Sequence, residues 1–481
     1  MAKKPSTSPR AKPAAVEVEV RPRATVGQVS DLSTAASYLY DRVDLERVPP
    51  TRATRDAYKL DRMRAILKEL DNPQDAVRMV HVAGTKGKGS TCEMIATALE
   101  ACGYAVGLFT SPHLVDVRER IRLNRQLIGV DEFVALTKRI GKAAAKVEAA
   151  HGEATFFELL TAMGFVYFAD QAVDVAVIEV GLGGLLDCTN VITPEVCAVT
   201  TIGFDHMQIL GDTLEEIAAQ KAGIFKPGVP AVVIQQDAKI LKVFREVAAA
   251  RGSPIEVVGD DIDFSYRFEW QAGAGPTARV CLTTERSNYD HVPVPLKGEH
   301  QALNCGLALA VLDKLSERGF ACPEAKVAKG LAMTVLPGRF EMAVNTPRVL
   351  LDGAHNPESM RALIKAIGAY VQYDSLVVVF GIAADKDIDT TLKALAAGAD
   401  KVIFTQAGNN RRAAKPADLQ RRYSELCGKM SQTTESFKDA FDLALRAVGR
   451  DDLICVTGSF YIVGEAKILI AERLAAKAGR R

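Results

Sequence analysis

The chain has 481 residues, enough for two or three domains that each bury a core, and its 48% hydrophobic and 25% charged content is that of a globular protein. A formal net charge of +1 supplies no field for a polyanion, which argues against nucleic acid or an anionic membrane as partner. Nine cysteines without a Cys-x-x-Cys or other metal-like spacing read as reduced core thiols of a cytoplasmic protein.

Residues 1–25 are rich in Lys, Arg, Pro, Ser and Ala, lack an apolar stretch, and read as a disordered, mildly basic tail. The first strong signal is His81-Val-Ala-Gly-Thr-Lys-Gly-Lys-Gly-Ser-Thr91. Val80 and Val82 alternate as in a strand, while Met94, Ile95, Ala98 and Leu99 recur at helical spacing up to Gly103. Strand, glycine turn and helix start make a phosphate cradle, in which Gly87 and Gly89 let successive N–H groups point inward. Lys88 can reach the outer phosphates, and Ser90 or Thr91 a magnesium-linked oxygen. The spacing is not a strict Walker loop, since Val82 stands at its first glycine and Gly89 follows the lysine.

A short strand, Ala105 to Phe109, leads into Thr110-Ser-Pro-His113. The longest apolar segment, Phe156 to Ala169, is too short to span a bilayer and contains Glu158 and Thr161. Thr155-Phe-Phe-Glu158 ahead of it has the form of a helix capping box. The strand Val175 to Val180 carries Glu179, costly there without a cation, and runs into Gly181-Leu-Gly-Gly184. The strand Val196 to Thr200 leads to Asp205-His206 in the same way. Ser111, Glu179 and His206, at three strand ends beside the phosphate loop, are candidate magnesium ligands.

Beyond them come an amphipathic stretch, Asp212 to Ala222, and another apolar strand, Pro230 to Ile234. The segment from Ile255 to Pro295 alternates (Phe264, Tyr266, Phe268, Trp270), which predicts antiparallel strands appended to the first domain. Leu336-Pro-Gly-Arg339 reads as a linker. After it the strands Arg348 to Leu351, Leu376 to Phe380, Lys401 to Phe404 and Leu453 to Val456 alternate with helical stretches such as Ala362 to Tyr370. Continuous apolar strands of this kind suit parallel sheets buried on both faces, with the ligand edge beyond their carboxyl ends. The predicted fold is α/β. An ATPase-like phosphate-loop domain with a mainly parallel sheet spans residues 26–336, and a smaller Rossmann-like α/β domain spans 337–481.

In sequence order, Ala83-Gly-Thr-Lys-Gly-Lys-Gly-Ser-Thr91, Leu108-Phe-Thr-Ser-Pro-His-Leu114, Glu179-Val-Gly-Leu-Gly-Gly184, Phe204-Asp-His206 and Lys221-Ala-Gly-Ile224 form a recurring set. Leu336-Pro-Gly-Arg-Phe340, Asp352-Gly-Ala-His-Asn-Pro357 and Asp385-Lys-Asp387 extend it. The set resembles the folylpolyglutamate synthase/dihydrofolate synthase family of the Mur ligase superfamily. That resemblance implies an ATP-dependent ligase joining L-glutamate to dihydropteroate, to the γ-carboxyl of reduced folates, or to both, through an acyl phosphate. It implies ATP contacts at Gly87, Lys88, Gly89, Ser90, Asn304, Arg339 and Asp352, with His355 on the same catalytic loop. It implies Mg2+ on Ser111, Glu179 and His206, with Lys221 carboxylated by carbon dioxide to hold a second ion. Thr155, Phe156, Phe157 and Glu158 match the family's pterin-binding stretch. Small molecules are then the partners of a monomeric cytoplasmic enzyme. Two departures stand out: Leu185 where the family has arginine, and Gln220 where it has glutamate before Lys221. A cell-wall Mur amino-acid ligase would share the chemistry, although the Thr155 to Glu158 stretch speaks against it. A phosphate-loop kinase or nucleotide sensor would use the same loop without an amino acid.

Overall fold

The computed structural model describes residues 24–44, 60–271, 275–408, 410 and 412–478, so the tail read over residues 1–25 lies almost entirely outside the described residues. The apolar runs of the first half become β1 (Met79–Ala83), β2 (Val106–Phe109), β3 (Ile121–Leu123), β4 (Gln126–Leu127), β5 (Val175–Glu179), β6 (Val196–Val199), β7 (Ala231–Ile234) and β8 (Ile255–Val258). They form one sheet in the order β4-β3-β2-β5-β1-β6-β7-β8. From β2 to β8 every pairing is parallel, and β3 and β4 add an antiparallel edge.

Alternation within each strand sends side chains to two cores. Val80 and Val82 of β1 pack with the helices Lys88–Cys102 and Glu299–Glu317 on one face, while Met79 and Ala83 join clusters on the other. Because β1 lies between β5 and β6 and the chain leaves it toward both edges, a crevice opens at its carboxyl end. The glycine loop lies there.

The alternating segment makes a separate antiparallel ribbon of β9 (Asp263–Gln271), β10 (Gly275–Thr283) and β11 (Asn288–Pro293). Its first residues differ from the expectation. Ile255–Val258 pairs in parallel with β7, because Val257 and Val258 are buried and continue the main sheet. Gly306 leaves room for the Phe264 ring, which seats the ribbon on the helix Glu299–Glu317.

The second sheet contains β12 (Glu341–Asn345), β13 (Arg348–Leu351), β14 (Leu376–Phe380), β15 (Lys401–Phe404), β16 (Gln432–Thr433) and β17 (Leu453–Thr457) in the order β12-β13-β17-β14-β15-β16. Only β12 runs antiparallel. Helices Pro357–Tyr370, Ile388–Ala396 and Pro416–Cys427 cover one face, and Phe437–Ala447 and Phe460–Ala478 the other. All nine cysteines are free thiols, and among the described residues no helix is long and apolar enough to cross a membrane.

Candidate active site

The phosphate loop is shaped by two glycines in backbone conformations that disfavour a side chain. Gly84 has φ +143° and Gly87 has φ +91°, and a Cβ on Gly87 would collide with the Asn304 amide. The helix then starts at Lys88, leaving its first N–H groups to face the crevice. Lys88 Nζ lies 3.9 Å from Glu179 Oε1. Behind the loop, Gln301 Nε2 donates to Ser90 Oγ at 3.3 Å, and Asn304 Nδ2 donates to Gln301 Oε1 at 3.0 Å. Thr91 Oγ1 is buried without a protein partner, a polar atom left over at the cradle.

Of the three predicted metal ligands, the fold joins two directly. The Ser111 N–H donates to Glu179 Oε2 at 3.0 Å. Burial raises the pKa of Glu179, and the charge of Lys88 opposes this. His206 begins a short helix with φ +49° and is exposed, its Nε2 3.8 Å from Asp205 Oδ1. Although its side chain is partly exposed, the crowded cleft strips hydration from it and lowers its pKa against the pull of Asp205, which favours the neutral form that can ligate. Desolvation works against the Asp205 carboxylate, but His206 and Lys386, whose Nζ is 3.6 Å away, hold its pKa down to about 2. Glu179, Asp205 and His206 do not form a trio of ligand atoms within 4.8 Å of one another.

Lys221 lies in the last turn of the helix Leu214–Ala222, with its side chain buried and its Nζ donating to the Gly84 carbonyl at 2.9 Å. Burial, with Lys88 adding repulsion, drops its pKa from 10.5 to about 7. The two departures meet here through the backbone, since the Leu185 N–H donates to the Gln220 carbonyl at 2.8 Å.

The Thr155 to Glu158 stretch forms the capping box in full. Glu158 Oε2 accepts from the Thr155 N–H at 2.8 Å, and the Glu158 N–H donates back to Thr155 Oγ1 at 3.2 Å. Arg62 Nε reaches both Glu158 oxygens, at 3.0 and 2.9 Å. Phe157 is on the cleft wall. Phe156, one residue earlier and so turned about 100° around the helix, is fully buried and stacks on Tyr40 at 5.3 Å. Tyr40 OH is 3.0 Å from His113 Nε2, and Arg120 Nε donates to His113 Nδ1 at 2.8 Å. The Arg120 contact makes Nδ1 of His113 the accepting nitrogen. Tyr40 and Arg62 escaped the sequence reading, because no local spacing links them to His113 and Glu158, 73 and 96 positions away, and Arg120 stands outside the motif that holds His113.

The opposite wall comes from the second sheet. The Arg339 guanidinium lies over the Phe460 ring at 4.2 Å. Asp352 accepts N–H groups from Phe340 and Ala354, both at 2.8 Å, while burial raises its pKa against the pull of Arg339. His355 Nδ1 donates to the Gly353 carbonyl at 2.8 Å, so Nε2 is the unprotonated atom. Burial and then Lys386 lower its pKa to about 4. Both walls line one cleft of about 1100 Å³.

Residues 82–312 match the Mur ligase middle domain, and residues 338–460 match the Mur ligase, glutamate ligase domain. The chain is 33% identical to the dihydrofolate synthase/folylpolyglutamate synthase of Bacillus subtilis, over 85% of this chain and 94% of that protein. The chain belongs to the folylpolyglutamate synthase/dihydrofolate synthase family of Mur ligases. Solved structures of the family agree. One is the Mycobacterium tuberculosis folylpolyglutamate synthase complexed with ADP and AMPPCP (TM-score 0.79, 32% identity, 86% of this chain and 95% of that one). Another is the E. coli FolC in complex with DHPP and ADP (TM-score 0.78, 28% identity, 94% of this chain and all of that one). In this family member the glycine loop and the Arg339, Asp352 and His355 cluster face each other across the cleft.

Proposed function

We propose that this chain ligates L-glutamate to dihydropteroate and to the γ-carboxyl of reduced folates at the expense of ATP. The observation that carries the reading is the cleft itself. A phosphate loop with Lys88 forms one wall, cationic and hydrogen-bonding groups of the second sheet form the other, and an apolar face at Phe157 adjoins both. A carboxylate cannot be displaced by an amine at neutral pH until its oxygen is made a leaving group. The substrate carboxylate oxygen attacks the γ-phosphorus and ADP departs. The glutamate amine then attacks the acyl carbon and phosphate leaves, so each amide formed consumes one ATP. Lys88 offsets charge on the transferring phosphoryl group, and Arg339 on the facing wall adds a second cation. His355 presents its unprotonated Nε2 as a hydrogen-bond acceptor on the wall that faces the nucleotide.

The donor set fits magnesium. Glu179 is a buried carboxylate whose ion-pair partner Lys88 stands 3.9 Å off, the lowered pKa of His206 favours its ligating form, and Thr91 Oγ1 and the Ser111 hydroxyl add oxygens. When bound there, the ion supplies positive charge against the phosphates. Lys221, about half amine at pH 7, suits carboxylation: its nitrogen adds to carbon dioxide and loses a proton, giving a carbamate that would help hold a second ion. Thr155, Phe157 and Glu158 line the pterin end, Phe157 offering the stacking face and Phe156 supporting it from the core. We assign residues 26–336 and 337–481 to two domains that close on the nucleotide and exclude water from the acyl phosphate. The enzyme works as a monomer on small molecules.

Phosphate release from ATP with dihydropteroate, measured with and without glutamate, tests this. Release that requires both acid and amine supports the ligase, whereas release indifferent to glutamate indicates a kinase or ATPase.

A further inference from the structure

The antiparallel ribbon, outside the cleft, holds a group of side chains that the ligase reaction does not use. β10 and β11 pair Val280 with Val292 and Leu282 with Tyr289, so Cys281 alone stands opposite both Asp290 and His291. In a regular ladder two consecutive residues face opposite sides of the sheet. This bulge, with His291 at φ +50°, turns both toward Cys281. Cys281 Sγ lies 3.3 Å from His291 Nδ1 and 3.6 Å from Asp290 Oδ1, and His291 Nε2 is 3.5 Å from Asp290 Oδ1. Among the described residues this is the only trio of His, Cys, Asp or Glu ligand atoms that all lie within 4.8 Å of one another. The Arg279 guanidinium donates to the His291 carbonyl at 2.9 Å and helps hold the bulge.

We propose that Cys281, Asp290 and His291 form a zinc-type transition-metal site, distinct from the magnesium chemistry of the cleft. Zinc–sulfur and zinc–nitrogen or zinc–oxygen bonds of about 2.3 and 2.0–2.2 Å, at tetrahedral angles, place donor atoms roughly 3.3–3.6 Å apart. The sulfur–nitrogen and sulfur–oxygen distances already fall in that range. A thiolate and a carboxylate together neutralise a divalent cation, and a soft, a borderline and a hard donor favour zinc or cobalt over magnesium or calcium. The trio is half-buried to exposed, so the fourth position is open to water. The ion would staple β11 to β10. Val280 and Leu282 of β10 share a core with Leu307 and Val311 of the helix that carries Gln301 and Asn304.

The test uses the full chain, stripped of metal by a chelator and titrated with Co2+. Wild type should develop a thiolate-to-cobalt charge-transfer band and visible d–d bands that saturate at one equivalent. Both should be lost in Cys281→Ser and in His291→Asn, the latter a residue that tolerates the left-handed backbone. Zinc should raise the thermal midpoint of wild type and not that of either variant, while both variants keep glutamate-dependent phosphate release as proof of folding. No cobalt bands in wild type, or bands that persist in either variant, would overturn the assignment.

Discussion

Replacing Lys221 with methionine separates the electrostatic cost of this residue from its use. The side chain is buried, and its ammonium falls from an ordinary pKa of 10.5 to about 7, chiefly through lost hydration and then through repulsion from Lys88. That change from 10.5 to about 7 biases the site against the charged form by about 5 kcal/mol. Between pH 7 and 10.5 the unfolded chain holds this proton and the folded chain does not, so stability rises with pH across that window. Below pH 7 both states hold it and the whole cost falls on the folded state. Methionine keeps the stem and removes the charge, while giving up the hydrogen bond to Gly84, worth about 1 kcal/mol. In carbon dioxide-free buffer the variant should therefore exceed wild type by about 2–4 kcal/mol near pH 6.5, and most of that advantage should be gone near pH 9.5. Urea unfolding at the two pH values measures it. The same variant should be inactive, and 13C-bicarbonate should give a carbamate carbon signal in wild type only. A stability difference that ignores pH would refute the burial argument, and an active wild type with a plain ammonium under bicarbonate would refute the carbamate.

Lys88→Ala should abolish ligation and shift the thermal midpoint by no more than about 3 °C, because the side chain serves phosphate charge and not packing. A folded variant with near-parental turnover would remove that role. Glu179→Gln should raise the magnesium concentration needed for half-maximal phosphate release by at least about tenfold, since an amide is a poor ligand for a hard cation. An unchanged magnesium titration would take Glu179 out of the site. Glu158→Ala leaves Arg62 without its carboxylate and opens the capping box, so stability should fall by about 2–4 kcal/mol. Use of dihydropteroate should fall further than ATP binding. Equal losses in the two would leave Glu158 a helix cap alone.

Strands with continuous apolar content, such as Val175–Glu179 and Leu376–Phe380, were legible because burial on both faces leaves no other use for such runs. The glycine loop was legible because its shape is local: strand, left-handed turn and helix start follow one another within a few residues. The short edge strands Gln126–Leu127 and Gln432–Thr433 carry almost no apolar pattern, and only their neighbours in space make them strands. Ile255–Val258 sits next to the alternating ribbon in sequence but pairs with β7, a partner that periodicity does not reveal. The site divides in the same way. Lys88, Glu179 and Lys221 stand in motifs, whereas the pairings of Arg62 with Glu158 and of Tyr40 with His113 join residues tens of positions apart. The capping box was visible in Thr155 and Glu158, but its occupation by Arg62 was not.

The most direct test of the ligase account follows oxygen. Dihydropteroate labelled with 18O in its carboxylate is incubated with the enzyme, ATP, magnesium and L-glutamate, and both products are weighed by mass spectrometry. Transfer through an acyl phosphate predicts dihydrofolate and, for each one formed, a phosphate carrying a single 18O. Unlabelled phosphate, or ATP consumed without any dihydrofolate, would contradict it.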